Sequence, residues 1–413
     1  MTRILLIEIR RSPFLWLVVP ASLLSLVILF REVESWQNVW PEASVRVIAA
    51  ATQLPAVAIA AVAAWSAQRI HRASASQLVQ TSTRPGWQIT IVHLSVSLGY
   101  ALIPLAVAAL ASYLIVHDKA APGGLWLSYM LLGIAAVVTV VGLGHSIGSA
   151  ISNRLAAPLA GFASFFPLFI VSILVPFFGE ANKAVSPAAL AARLLLAGAC
   201  VALALAFGPV SSPRRSYGGR ISACVAVAVS VLFLLVAGPI QQPRQPVLAS
   251  ACQRVAATDV CLWPENAARL TEATNATKNV IGLTQRVIRF PQVVADEGLV
   301  AENGGSVLQI PVVAGATYES YRSLLIFQLT WQIMADCGPS ETEAHGRPRM
   351  QARAKLDTWL SSAALGRMQD QEWDSVSLTE AGRNEVRQTL GLPQAAQEEW
   401  ARKQIAVMGR CNA

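Results

Sequence analysis

Residues 221–246 read ISACVAVAVSVLFLLVAGPIQQPRQP, and the fold turns on the change of character inside this stretch. The first twenty positions carry no charge, and about 20 mostly apolar residues are what a helix needs to cross the ~30 Å hydrocarbon layer of a bilayer. Gln241-Gln242-Pro243-Arg244-Gln245-Pro246 then ends the helix, because a proline ring offers no N–H and clashes with the preceding turn. An oily part, 1–240, is thereby divided from a linker, 241–250, and a hydrophilic part, 251–413.

Composition agrees with that division. Of 413 residues, 54% are hydrophobic and 14% charged, with a mean hydropathy of +0.48, against roughly a quarter charged in an ordinary soluble domain. Disordered, collagenous and simple cytosolic proteins are excluded. The net charge of +8 is unevenly placed: residues 1–240 hold 15 Lys/Arg and 6 Asp/Glu, whereas 241–413 hold 17 and 18. Basic residues lying between apolar runs report membrane orientation rather than a nucleic-acid partner, so no nucleic acid is expected and the lipid bilayer is.

Seven apolar stretches occupy the first part, at 14–30, 43–67, 89–116, 125–149, 158–178, 188–207 and 221–240. The first follows Arg3, Arg10 and Arg11 and precedes no small-residue cleavage site, so it reads as a retained anchor and not as a signal peptide. With the N-terminus inside, the cytoplasmic pieces carry Arg3, Arg10, Arg11, Arg69, Arg72, Arg84, Arg154, Arg214, Arg215 and Arg220 against the single acid Glu8. The opposite pieces carry five basic and five acidic residues. Since Lys and Arg accumulate on the cytoplasmic side, an odd number of spans places everything after residue 240 outside the cell membrane. The fold class read here is a polytopic α-helical membrane protein of about seven transmembrane helices with a C-terminal α+β extracytoplasmic domain.

Cysteine placement points the same way. Cys200 and Cys224 fall within spans, while Cys252, Cys261, Cys337 and Cys411 all fall in the hydrophilic part. An even set in an oxidising compartment reads as two disulfides; of the three pairings, Cys252 with Cys261 and Cys337 with Cys411 is favoured, the first closing a short local loop. A zinc site is the weaker alternative, because no C-x-x-C occurs and His345 is the only histidine there.

Within this domain, 260–262 reads as a strand running into a helix that starts at Pro264 and reaches about Ile281, and 287–290 and 306–313 read as strands divided by the turn-rich 302–305. Leu324, Phe327, Trp331 and Met334, with Leu325, Leu329 and Ile333 beside them, mark a helix buried on most sides; Leu356, Trp359, Leu360 and Ala363 mark the face of another. Leu392, Ala396, Trp400 and Val407 mark a third after Pro393.

Catalytic signatures are missing. There is no G-x-x-x-x-G-K-[ST] loop, no H-E-x-x-H and no G-x-S-x-G, so the chain reads as no enzyme, without cofactor or metal, and any ATP must be hydrolysed elsewhere. Polar groups inside spans are costly and mark pathways or helix contacts. His93 lies near the cytoplasmic start of its span, and His145 lies in Gly142-Leu143-Gly144-His145-Ser146-Ile147-Gly148, whose Gly144-x-x-x-Gly148 spacing admits a close neighbour. Arg46 and Arg193 sit near the outer boundary, their stems long enough to carry charge to the headgroups.

The link 68–87, QRIHRASASQLVQTSTRPGW, reads as a short helix lying along the membrane. In that position it resembles the coupling segment of integral-membrane permeases of ABC exporters, and 78–84 is similar to the Leu-x-x-Thr-Pro-like stretch they carry there; the Glu-Gly-Thr that often precedes it is absent. The chain as a whole, through Cys252, the run Val260-Cys261-Leu262-Trp263-Pro264-Glu265 and the later Asp336-Cys337, resembles actinobacterial permease-type proteins with a cysteine-containing outer domain. The resemblance implies a permease subunit of an ABC-type export or self-protection system, coupled through Arg69, Arg72, Leu78, Arg84 and Trp87 to a cytoplasmic ATP-binding subunit. Seven spans make a modest bundle, so a homodimer, or a heterodimer with a related permease, is expected. The alternative is a membrane-anchored extracytoplasmic sensor or immunity protein without transport activity.

Overall fold

The computed structural model describes residues 2–31, 33–37, 39–71, 86–117, 123–151, 153–165, 174–176, 182–208, 213–245, 251–299, 307–310, 318–334, 343–365 and 378–409. They form two compact units, Met1–Pro243 and Arg244–Ala413.

The first unit is helical: α1 (Thr2–Arg11), α2 (Phe14–Phe30), α3 (Val33–Trp36), α4 (Trp40–Thr52), α5 (Leu54–His71), α6 (Gly86–His117), α7 (Leu127–Ala150), α8 (Ala156–Phe165), α9 (Pro187–Ala206) and α10 (Pro213–Val236). Among the described residues, five stretches are long and apolar enough to cross a membrane, namely Trp40–Arg69, Trp87–His117, Leu127–Ala150, Pro187–Ala206 and Tyr217–Val236. The chain is a multi-pass membrane protein. Helix α2, with 17 residues, and α8, with 10, are shorter apolar helices; the predicted span 158–178 starts with α8, and its middle, 166–173, lies outside the described residues.

The run 43–67 is expected as one span and is built as two helices. α4 stops at Gln53, whose N–H still reaches Ala49 O at 3.0 Å, and Pro55 in the next turn has no N–H with which to continue the ladder. Hydroxyls buried in the spans bond back one turn on their own helices: Thr52 to Ile48 O, Thr139 to Ala135 O and Ser146 to Gly142 O, at 2.7–2.8 Å. Each polar group thus enters the apolar core already satisfied. Arg193 is buried and donates from Nη1 to Ala189 O on its own helix at 2.7 Å, so its charge stays against α9 instead of reaching the headgroups.

Small residues set the closest contact of the bundle. A Cβ built on Gly144 of α7 would lie 2.5 Å from Ala60 O of α5, and one on Gly148 would lie 2.2 Å from Ala64 O. The two backbones touch, as small-x-x-x-small spacing permits. At the far end of the unit, β1 (Lys183–Val185) pairs antiparallel with β2 (Gln241–Pro243), in the register Lys183 opposite Pro243. The first three residues expected as linker are therefore a strand.

The described residues of the second unit form a four-stranded sheet with helices. Its order is β3 (Ala251–Val255), β4 (Thr258–Leu262), β5 (Val293–Asp296), β6 (Val307–Ile310); β3 is antiparallel to β4, and β4, β5 and β6 run parallel. A 3-10 turn (Pro264–Arg269) leads from β4 into α11 (Leu270–Thr284), and α12 (Tyr318–Ile333), α13 (Glu343–Leu365), α14 (Glu380–Leu390) and α15 (Gln394–Met408) follow. Leu325, Leu329, Leu356, Trp359 and Leu360 are buried, as their spacing predicts, in one core with Val260, Val294 and Ile310 of the sheet.

Three expectations need correction or restriction. The strand expected at 287–290 lies at Val293–Asp296: Val287 and Ile288 both donate to Thr284 O at 2.8 Å and finish α11, and Ile288 plugs the core from a turn. Leu392 is exposed, whereas Trp400 and Val407 of the predicted stripe pack, partly buried, against the core, and α15 adds the buried Ala401 and Met408. Cys252 and Cys261 face each other across the β3–β4 ladder and are bonded, whereas Cys337 and Cys411, like the turn 302–305, lie outside the described residues.

The α5–α7 contact gives a direct test. Gly148→Ala forces the two backbones apart and is expected to destabilise the protein by about 1–3 kcal/mol, read as a lowered thermal midpoint in detergent. Gly99→Ala, which meets no atom within 4 Å, leaves the midpoint unchanged or raises it, since alanine is the better helix former.

Candidate functional site at the basic end of the bundle

Helix α1 ends in four carbonyls that no amide of its own can satisfy. Side chains from two other helices meet them: Tyr100 of α6 donates its hydroxyl to Ile9 O at 2.8 Å, and Arg69 of α5 donates from Nη1 to Arg11 O at 2.9 Å. A cation there also faces the negative end of the helix dipole. On α1 itself, Leu6, Ile7, Arg10 and Arg11 are exposed and Glu8 is turned inward, only 13% exposed.

Glu8 is the meeting point of the cluster. Its Oε1 lies 3.0 Å from His93 Nδ1 and 4.0 Å from Arg69 Nη1. The His93 contact falls short of an aligned N–H···O bond, so it is a close approach and not a formed hydrogen bond. His93, Ser97 and Tyr100 stand at i, i+4 and i+7 on α6, one face of one helix. From that face Ser97 Oγ reaches His145 Nε2 of α7 at 3.0 Å, and both residues are about 99% buried. Polar side chains thus run from the exposed α1 surface to the interior. Nearby, Gln68 Nε2 donates to the carbonyls of Ile151 and Asn153, tying the end of α5 to the end of α7.

Of the predicted site residues, Arg69, His93 and His145 are brought into this one cluster. Trp87 is 54% exposed at the start of α6, and Arg72, Leu78 and Arg84 lie outside the described residues. Sequence reasoning did not single out Glu8, Ser97 or Tyr100 as site residues. A signal was present in each case: Glu8 is the lone acid among the basic-end pieces, and Ser97 and Tyr100 follow His93 at helical spacing. Among the described residues, no three His, Cys, Asp or Glu side chains converge so as to hold a metal ion.

The second unit has its own buried polar group. Asp296, at the carboxyl end of β5, accepts from Trp263 N at 2.9 Å and from Asn266 Nδ2 at 3.0 Å, fastening the turn that follows β4. Arg244 stacks on the Trp263 ring with Cζ 3.7 Å from its centroid and pairs with Glu265. Burial pushes the Asp296 carboxyl from 3.8 up to about 6, against the lowering pull of the Asn266 and Trp263 hydrogen bonds. Burial raises the nearby Tyr321 phenol as well, with the Asp296 charge adding to it, and burial lowers Arg269.

Residues 260–411 match a family described as a domain of unknown function, DUF7224. No curated protein and no solved structure matches the chain.

The folded value of Asp296 lies above its ordinary 3.8, so folding favours the protonated acid. Its contribution to stability is complete below about pH 3.8 and is lost as pH rises through about 6, a cost on the order of 3 kcal/mol once the group is ionised. In the full chain, amide exchange protection of β4 and β5, corrected for intrinsic rates, is expected to fall across that interval. Asp296→Asn should flatten the profile while keeping an acceptor for Trp263 N.

Proposed function

We propose that this chain is the membrane-spanning permease subunit of an ABC-type export or self-protection system, energised by a separate cytoplasmic ATP-binding subunit. In this reading it spans the membrane seven times, its basic end is cytoplasmic, and the disulfide-bonded unit is extracytoplasmic. The observation that carries the reading is the double tie of Arg69, at the start of the basic link 68–87, to Glu8 and to the Arg11 carbonyl of α1. A partner pressing on that link has a solid route into the bundle, through α5 to the Gly144 and Gly148 contacts on α7.

Two further observations support the sidedness. Arg10, Arg11, Arg69, Arg154 and Arg220 belong to the same end by the alternation of the helices, as cytoplasmic loops require, and a disulfide is at home outside the cytoplasm. Binding and hydrolysis of ATP by the partner would then shift the population between inward-open and outward-open arrangements, in proportion to the partner's differential affinity for the two. Dimerisation with itself or a related permease would complete the path.

A second reading, a membrane-anchored sensor or immunity protein, draws on the buried ionisable group at Asp296 in the outer unit. The two readings part at the link. The tagged full chain, purified from its source in mild detergent, is expected to bring down a nucleotide-binding subunit, and Arg69→Glu to reduce that recovery roughly tenfold by charge reversal. Gentle recovery without any nucleotide-binding chain overturns the permease reading.

A further inference from the structure

Four polar side chains from three helices form a line at the basic end: Glu8 on α1, His93 and Ser97 on α6, and His145 on α7. The Glu8–His93 approach, a contact short of an aligned hydrogen bond, and the Ser97–His145 hydrogen bond each span 3.0 Å. The step between them is one helical turn along α6, where Cβ atoms stand about 5–6 Å apart. We propose that these residues are a proton path leading from the basic-end surface to the buried ring of His145, and that arrival of the proton there is linked to separation of α7 from its neighbours.

Each group suits its place. The Glu8 carboxylate takes the proton at the partly exposed mouth and passes it to Nδ1 of His93. Through one water placed between the two side chains, His93 gives up the proton on its other nitrogen and the Ser97 oxygen receives one, as the Ser97 hydroxyl hydrogen moves to Nε2 of His145. One proton enters and one arrives, every O–H or N–H bond broken is matched by one formed, and no oxidant or reductant is needed. The groups facing the path are Arg69 of α5, with Nη1 4.0 Å from Glu8 Oε1; Tyr100 of α6, committed to Ile9 O; and Cys200 of α9, whose Cβ and backbone lie against Gly142 of α7.

The linkage to movement follows from packing. A charged imidazole in an apolar interior requires new partners or water, and His145 has no slack in which to gain them. The residue before it and the residue three after it already press on the α5 backbone at Ala60 O and Ala64 O. Room comes only if α7 shifts as a body away from α5 or α6. This inference stands on the helical unit alone, so failure to recover a nucleotide-binding partner leaves it intact.

The test uses the full chain, labelled with 15N-histidine and reconstituted in lipid bilayers, with the His145 ring assigned by His145→Gln. Magnetisation transfer from water measures how fast the His145 ring nitrogens exchange protons with solvent. In the wild type the exchange is expected to accelerate as the pH is lowered from about 8 to about 5.5, the interval in which an exposed histidine takes up a proton. It should become roughly tenfold or more slower in Glu8→Gln, His93→Gln and Ser97→Ala, as on losing a positioned acid or base, and Ser97→Thr should restore it by returning a hydroxyl. A rate that does not respond to pH in the wild type overturns the proposal, whatever the variants do. So does a rate unchanged by the three substitutions.

Discussion

The helical unit depends on two glycines. At Gly144 and Gly148 the backbone of α7 lies against the carbonyls of Ala60 and Ala64 of α5 with no side chain between, and that contact fixes where everything at the basic end can be. It sets the separation across which Gln68 reaches the carbonyls of Ile151 and Asn153, and it holds Arg69 where it meets both Glu8 and the last carbonyl of α1. In hydrocarbon there is no hydrophobic drive to bring helices together, and close van der Waals approach with interhelical hydrogen bonds has to do it. On the same helix His145 is seated against Ser97, both buried.

The helical unit and the C-terminal unit solve the problem of buried polarity differently. In the first, hydroxyls such as those of Thr52, Thr139 and Ser146 bond back to their own helices, and Glu8, His93, Ser97 and His145 gather toward the basic end. In the second, an ionisable carboxyl is enclosed at the carboxyl end of a parallel strand and spends its acceptors on Trp263 and Asn266, joining β5 to the turn after β4. Buried arginine is treated likewise: Arg353 lies between the rings of Phe327 and Trp331, 4.4 and 3.9 Å from their centroids, and beside Asp357. The cation satisfies the aromatic faces and locks α12 to α13.

Much of this was legible in the sequence because hydrophobic length and spacing encode it directly. The runs 89–116, 125–149 and 188–207 coincide within three residues at each end with Gly86–His117, Leu127–Ala150 and Pro187–Ala206, and the Gly144-x-x-x-Gly148 spacing announced the tight seam. What could not be read is what depends on a partner distant in sequence. Glu8 and His93 are 85 positions apart and His145 and Ser97 are 48 apart, so each appears in the sequence as a lone polar residue with a bland explanation. The β-branched run Val287–Phe290 imitates a strand, yet Thr284 O captures two of its amides first. Gln241–Pro243 reads as a breaker, and it forms an edge strand because Lys183–Val185, far upstream, offers a ladder.

The hairpin that begins the C-terminal sheet carries an implication for the order of assembly. Cys252 and Cys261 are nine residues apart and directly opposed, so closing that ring asks little of the chain's entropy and nothing of the distant helices. The covalent clasp can therefore be set while the rest of the unit is still unfolded. β4, one arm of the clasp, is the strand on which β5 and then β6 are laid in parallel, so later and costlier pairings start from an arm already fixed.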